Sequence, residues 1–443
     1  MWRWLLPGLG IKRYVALVGL GLGLLGFGVG VGVVAPHFGD PSRAARINLV
    51  VGTWAVGLVA VGAGGWLGIR TLARALNLPE PVLAELFASR QRAARGPRVV
   101  ALGGGTGLPA LLRGLKAYTS NITAIVTVAD DGGSSGRLRG ALGMLPPGDI
   151  RNCLVALADT EPLMRDLFQY RFRQGELAGH SFGNLFLAAM EQTTGDFVTA
   201  LKESSRVLAV RGAVLPATLD RVELVAELED GRLLRGESQI GRSPARIRRV
   251  WLEPSDATPL VEALRAIEAA DLVVIGPGSL YTSVIPNLLI APIAEAVRRT
   301  RALRCYVANA MTQPGETAGY TAWDHLQAIE EHAGPRLVDV MLVNGEAVPA
   351  DVLERYRAEG ADAVVPGARG RPGVEMVVAP LLAIEHGVVR HDPDKLARAI
   401  LRLLLRFRPD WARGRPWESL WLEQRLRADR GDKARAMVPY ARS

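Results

Sequence analysis

Two carboxylates stand side by side at Asp130-Asp131, followed by Gly132-Gly133-Ser134-Ser135-Gly136-Arg137. Adjacent acids can hold a ribose, accept a proton or bind Mg2+. The glycines and serines behind them read as an anion nest, with Arg137 or Arg139 as a phosphate clamp. A second candidate is Gly103-Gly104-Gly105-Thr106-Gly107. Glycines let a phosphate come close to the backbone, and a helix start offers free N–H groups and a positive dipole end. A dinucleotide fingerprint would need glycine where Leu108 stands, which counts against an NAD(P)-dependent oxidoreductase. No Gly-Lys-Ser/Thr follows, so this is not a Walker A loop either.

Four further segments carry usable side chains. In Pro146–Asn152, Asp149 reads as a helix N-cap, with Arg151 and Asn152 in the first turn facing a ligand. In His180–Asn184, Asn184 is a cap or a base-contacting amide, and the lone His180 reads as a structural hydrogen-bonder. In Gly276–Ser283, Gly276 and Gly278 give a second glycine loop. There Ser279 and Thr282 offer hydroxyls, and Tyr281 a face for a base or sugar. Asn309–Thr317 is another polar segment, with Asn309 and Thr312 at its start. Asp324 and His325 follow on an expected helix, but no His/Cys/Asp spacing makes a zinc site. Two cysteines, Cys153 and Cys305, exclude a disulfide scaffold and a cysteine-cluster metal site.

These segments need a frame, and the apolar runs supply one. Arg98–Leu102 reads as a buried strand, then the glycine loop, a helix over Leu108–Tyr118 and a strand over Ile122–Ala129. Strand, loop, helix, strand is the opening of a parallel α/β sheet. Helices are expected at Ile150–Ala158, Pro162–Tyr170, Gly183–Gln192, Thr258–Ala269, Thr321–Glu330 and Asp394–Phe407. Strands are expected at Asp271–Ile275, Tyr306–Asn309 and Val338–Asn344. Between Arg206 and Glu253 the pattern changes. Val222–Glu227 and Leu233–Glu237 flank Asp230-Gly231, a hairpin-turn pair, so a small antiparallel insert is expected. Glycine loops after two parallel strands imply a cleft between them.

The 443 residues suffice for two or three units, and 22% charged residues exclude wholesale disorder. The net charge of +9 is uneven. Residues 1–95 and the tail 408–443 are basic, while 96–407 is near neutral. Nucleic acid is therefore not an expected partner. Val15–Ala35 and Ile47–Ile69 are uncharged apolar runs, each long enough for a helix to cross about 30 Å of hydrocarbon. Both are too long for the apolar core of a signal peptide. A two-helix transmembrane hairpin is expected, with Gly19/Gly23, Gly26/Gly30, Gly28/Gly32 and Gly64/Gly68 as close-approach pairs. Arg3, Lys12 and Arg13 precede the first run, and Arg70, Arg74, Arg90, Arg92 and Arg95 follow the second. The positive-inside rule puts both termini and the main domain in the cytoplasm, at the inner membrane. Neither run holds an ionisable residue, so the hairpin reads as an anchor and not an ion pathway. The tail, with Trp411, Trp417 and Trp421, reads as an irregular solvated end.

Six stretches occur in order: VVALGGGTGLPALLRGLK, VTVADDGGSSGRLR, PPGDIRNCLVALAD, GNLFLAAM, IGPGSLYTSVIPNLL and NAMTQPGETAGYTAWDHL. Together they closely resemble the bacterial gluconeogenesis factors (YvcK-like), relatives of the 2-phospho-L-lactate transferase (CofD) superfamily. The resemblance covers about Arg98 to Phe407 and implies a Rossmann-like fold. It also implies binding of a UDP-sugar such as UDP-GlcNAc, tied to carbon metabolism, cell-wall synthesis and cell shape; cell-wall synthesis proteins and a second copy of the chain, in a homo-oligomer, are the candidate partners. On this chain, Gly103–Gly107 takes the phosphate-side loop and Asp130 and Asp131 match the acidic pair that the transferases use near metal and acceptor. Gly276–Thr282 and Asn309–Thr312 line the nucleotide side. The SSGRLR and PPGDIRN forms are those of the YvcK-like branch, which speaks against deazaflavin chemistry. Three readings remain: a membrane-tethered UDP-sugar sensor without turnover, a Mg2+-dependent phosphotransferase using a nucleotide-linked donor and, weakest because the fingerprint fails at Leu108, an NAD(P)-dependent oxidoreductase.

Overall fold

The computed structural model describes residues 12–34, 43–75, 92–159, 162–368, 370–428 and 438–439. The residues before Lys12, the link at 35–42, residues 76–91, 160–161 and 369, and the tail at 429–437 and 440–443 lie outside them. The chain divides into two compact units, Met1–Gln91 and Arg92–Ser443.

The first unit holds two helices, Lys12–Val34 and Arg43–Ala75. Within them, Arg13–Val31 and Ile47–Gly68 are long and apolar enough to cross a membrane, at mean hydropathies of 2.0 and 1.8. The helices pack antiparallel, with Gly28 and Gly64 of the expected pairs at the contact but not Gly19/Gly23 or Gly26/Gly30. Cβ atoms at Gly19, Gly23, Gly26 and Gly30 would meet nothing within 4 Å. The close approaches are at Gly21 and Gly57, where a Cβ on either would fall within 2.8 Å of the other's carbonyl oxygen, at Gly28 beside Thr53 and Trp54, and at Gly64 beside Tyr14 and Val18. These glycines recur every seven residues, the period of a seam between two long helices.

The second unit is built on one sheet. Its strands are β1 (Val99–Gly103), β2 (Ile122–Val126), β3 (Ala213–Pro216), β7 (Leu272–Ile275), β8 (Leu303–Val307), β9 (Val340–Asn344) and β10 (Glu375–Ala379), all parallel. The antiparallel pair β13 (Val438–Pro439) lies beside β10. The strand order is β13-β10-β9-β8-β7-β1-β2-β3. β1, β7 and β9 are almost wholly buried, as their near-continuous Val/Leu/Ile runs require. The chain runs outward from β1 through β2 to β3, then restarts at β7 on the other flank. The order therefore reverses between β1 and β7, where α/β sheets open a ligand crevice at the strands' C-terminal ends.

The insert is smaller than expected. Ala213–Pro216 pairs with β2 and belongs to the main sheet. The antiparallel sheet is β4 (Glu223–Leu228), β5 (Leu233–Arg235) and β6 (Ile247–Glu253), in the order β5-β4-β6. Its Asp230-Gly231 turn places Gly231 at φ +83°, where glycine carries no steric cost. A hairpin of β11 (Leu382–Glu385) and β12 (Val388–His391) precedes the helix Pro393–Phe407, which Asp392 caps through the N–H groups of Asp394 and Lys395. From Pro409 to Ala428 the segment after Arg408 is not irregular. It forms the helices Pro409–Gly414 and Pro416–Ala428, and Trp411, Leu422 and Leu426 join the core. Their apolar faces are interleaved with arginines, which hid the pattern; Trp417 alone of the three tryptophans is largely exposed, at 81%.

Candidate functional site

The loops after β1 and β7 touch. A Cβ on Gly107 would lie 2.5 Å from the carbonyl oxygen of Pro277, so only glycine allows this approach. Asn287 Nδ2 donates to Gly103 O at 3.2 Å and ties the second loop to the first. Beside this junction is a cleft of about 270 Å3. Thr106, Gly107, Gly278, Ser279, Asn309 and Thr312 line it, which joins three of the expected segments in one place. The helices Gly107–Leu115 and Pro393–Phe407 both begin at its wall. Sequence reading missed the rest of the lining, notably Arg113, Tyr356, Glu385, Arg390 and His391. These come from two helices, Gly107–Leu115 and Ala350–Ala358, and a hairpin with no motif of their own.

On the other side of the Gly104-Gly105 backbone lies an acidic group. Asp130 Oδ1 accepts from Gly132 N–H at 2.8 Å. Asp131 Oδ1 accepts from Ser238 N–H at 2.8 Å, which brings the insert over the pair. Glu237, at the start of the short helix Glu237–Ile240, completes a trio whose carboxylate oxygens lie within 4.8 Å of one another. Burial, followed by Asp130, Asp149 and Asp131, pushes the Glu237 pKa up to about 8. Among the described residues no arginine or lysine forms an ion pair with any of the three. Three clustered oxygen donors without a cationic partner fit a hard divalent ion such as Mg2+.

Asp149 is not a helix cap. The helix Gly148–Leu157 starts after Pro147, and the Asp149 carboxylate instead accepts from Gly105 N–H at 2.6 Å, across the sheet edge. Burial raises its pKa to about 6. A Cβ on Gly104 would fall 2.6 Å from Asp149 Oδ2 and 2.8 Å from Thr127 Cγ2. Arg151 is 7% exposed. Its guanidinium donates to Asn184 Oδ1 at 3.0 Å, Asn152 Oδ1 at 2.8 Å and Ser181 Oγ. Asn184 donates in turn to Ser134 Oγ at 3.1 Å, which lies 3.0 Å from His180 Nδ1. Ser135 Oγ accepts from Gly148 N–H at 3.2 Å. These residues form a polar network beneath the acidic loop, and His180 is part of it, as its structural reading required.

Three expectations fail here. The glycine-serine stretch is not a nest, since Gly133–Leu142 is a helix. Arg137 and Arg139 do not reach toward a phosphate; they donate to the carbonyls of Ala178 at 3.0 Å and Val222 at 2.8 Å. Tyr281 presents no face to the cleft. Leu280–Val284 winds into a π-helical turn that buries all five side chains, and Tyr281 is 2% exposed, its hydroxyl 2.9 Å from that of Tyr320. What holds this turn is Glu316, which sequence reading also missed. Its carboxylate accepts from Tyr281 N–H and Thr282 Oγ1, both at 3.3 Å. It lies in the stretch NAMTQPGETAGY, where its acid among small polar residues was the one available signal.

Known proteins share this architecture. The sequence model of the 2-phospho-L-lactate transferase CofD family matches residues 99–382. The gluconeogenesis factor of Bacillus subtilis is 51% identical, over 70% of this chain and 98% of its own length. A gluconeogenesis-factor homologue from Clostridium acetobutylicum is 41% identical over 96% of this chain and 97% of its own, so the likeness extends through the N-terminal unit. The crystal structure of a UPF0052 family member from Bacillus halodurans, 52% identical, superposes with a TM-score of 0.66 and covers 68% of this chain and 99% of that one. The chain belongs to the CofD family of Rossmann-like α/β proteins. Within that family it falls among the gluconeogenesis factors, the YvcK-like branch.

Proposed function

We propose that the second unit binds a nucleotide sugar, a UDP-sugar such as UDP-GlcNAc, and regulates carbon metabolism, cell-wall synthesis and cell shape through cell-wall synthesis proteins. The two N-terminal helices tether it to the inner membrane with its bulk in the cytoplasm. The cleft carries this reading. A diphosphate needs N–H donors, positive dipole ends and guanidinium groups. Two glycine-rich loops, two helix starts, Arg113 and Arg390 meet around one groove, with Glu385 as an acid that interacts with Arg113. Asn309, Thr312 and Gln313 add polar groups of the kind that read a base or ribose.

A second reading, a Mg2+-dependent phosphotransferase, is favoured by the acidic trio alone. Asp130, Asp131 and Glu237 would hold Mg2+, which neutralises charge on a phosphoryl-linked group when bound. Asp149 then holds Gly105 N–H in place, and Arg151 keeps the loop beneath rigid. Calorimetric titration of the protein with UDP-GlcNAc, with and without Mg2+, separates the readings, with UDP-glucose, GDP and NAD for comparison. UDP-GlcNAc binding that survives chelation, weakens at least tenfold in Arg113→Ala and yields no product is the expected result. GDP binding with product formed only in Mg2+ would overturn it.

A further inference from the structure

A scattered apolar side chain on a protein surface is ordinary, but a concentration of them on one short helix is not. In the helix Pro162–Gln169 only Phe168 is buried, and its ring meets those of Phe182 and Phe186 at centroid distances of 5.6 and 5.0 Å. That contact holds the helix to the body of the second unit. The rest of its apolar side chains face solvent. Leu163 is 80% exposed, Leu167 39%, Met164 38% and Tyr170, just past the helix end, 48%. Spacings of three and four residues join them into one face. None of them lines the cleft.

The surroundings of this face suit a lipid surface. Arg165 lies within it, and Arg171 and Arg173 follow Tyr170, all three exposed, against Asp166 and Glu176. Exposed leucines and an aromatic ring with arginines beside them are what an interfacial segment uses, the apolar groups entering the headgroup boundary and the guanidinium groups meeting lipid phosphates.

Its place in the fold supplies the occupant. The chain enters the second unit by way of Ala93, whose carbonyl accepts from Ser120 N–H at 3.0 Å. Ser120 lies just past the helix Gly107–Leu115. At that same helix end Lys116 Nζ donates to Ala158 O at 2.9 Å, four residues before Pro162. The point where the chain enters and the exposed helix therefore share one edge of the unit. Resting on the reading of the N-terminal helices as a membrane tether, we propose that the segment Pro162–Arg173 docks on the bilayer surface, with Leu163, Met164, Leu167 and Tyr170 as the inserting face. A tether makes this second contact intramolecular, so a patch too small to hold free protein on a bilayer is sufficient.

The test uses the full chain in nanodiscs of phosphatidylcholine and phosphatidylglycerol, with one nitroxide label per variant. Cys153 and Cys305 are buried and stay in place. The readout is the ratio of collision rates with oxygen and with a water-soluble nickel chelate, which rises where a label lies in lipid. Leu167→Cys should give a ratio about fivefold above that of Leu233→Cys, an exposed apolar position on the insert. Leu163→Cys replaces it if Leu167→Cys does not fold, and failure of both to fold marks the face as packed and overturns the proposal. A ratio no higher than at Leu233 overturns it. So does spin–spin broadening that dilution with unlabelled protein removes, which would mean that a second copy covers the face. Val59→Cys, in the second apolar helix, reports on the tether itself. Lipid contact at Val59 without it at Leu167 removes the docking alone, and none at Val59 removes the tether reading and the docking with it.

Discussion

Glu316 offers the sharpest energetic test, because its charge is poorly placed and its hydrogen bonds are well placed. It is 4% exposed, and burial lifts its pKa from 4.5 to about 7 against the pull of Tyr281 N–H and the Thr282 hydroxyl. Between those two values the folded protein keeps a proton that the unfolded chain has released. Stability from this group is therefore complete below about pH 4.5 and is lost as pH rises through about 7. A shift of roughly 2.5 units corresponds to about 3 kcal/mol. Glutamine keeps an acceptor for Tyr281 N–H and can donate an amide hydrogen to Thr282 Oγ, but carries no charge. Glu316→Gln should thus match wild type near pH 4 and exceed it by up to about 3 kcal/mol at pH 8. Urea denaturation of residues 92–443 across that range reads the difference directly; the Bacillus halodurans relative, matched over 99% of its length to 68% of this chain, crystallised without a counterpart of the remainder. Asp149 and Glu237 also have raised pKa values and bend both curves the same way, so they largely cancel in the comparison. A variant less stable than wild type at pH 8, with a superimposable pH profile, would refute the reasoning. It would mean that Glu316 is ionised in the fold and that its hydrogen bonds outweigh its burial.

Three other outcomes are expected. Gly104→Ala pushes a methyl group to 2.6 Å from Asp149 Oδ2 and should cost about 1–3 kcal/mol. It should also weaken UDP-GlcNAc binding, and wild-type behaviour in both thermal unfolding and titration would contradict the close packing described. Glu237→Gln should lower Mn2+ affinity at least tenfold by electron paramagnetic resonance; undiminished affinity, with loss in Asp131→Asn, would restrict the cation site to the aspartates. Deleting residues 1–91 should leave nucleotide-sugar binding intact and impair cell-shape function, and full complementation by the soluble form would sink the tethering role.

The parts that could be read from sequence are those governed by local rules. The β1 and β7 loops announced themselves because an apolar run followed by glycines has few structural uses. The two apolar helices were legible for the same reason, but their contact face was not. In a run this rich in glycine, pairs four apart occur by abundance, and only the packing separates Gly28 and Gly64 from the other expected positions and adds Gly21 and Gly57. Tyr281 misled because its backbone turns with five residues where an α-helix uses four, which rotates every side chain after Ser279. Glu237 was invisible as a site residue because its importance is purely tertiary, 106 positions from Asp131 yet one residue from Ser238, which Asp131 binds.

That last distance bears on how the site works as a whole. The insert holds the acidic loop after β2 through Ser238 and Asp131. On its other flank, His332 Nε2 accepts from Val250 N–H at 3.0 Å, and Gly315 at φ +80° packs on the carbonyl of Ser243 with no room for a side chain. Gly315 directly precedes Glu316, and Glu316 holds the π-helical turn after β7. The acidic loop, the segment after β8 and the second glycine loop are therefore joined through one small sheet. Asp149 closes the circuit, since it binds Gly105 in the first glycine loop and adds its charge to Glu237. Charge neutralised at the trio relieves Glu237 and Asp149 together, and any movement of Asp149 is felt at the Gly105 N–H beside the cleft. An insert that looks peripheral in the sheet order thus contacts both the acidic loop and, through Gly315 beside Glu316, the segment that holds the turn after β7.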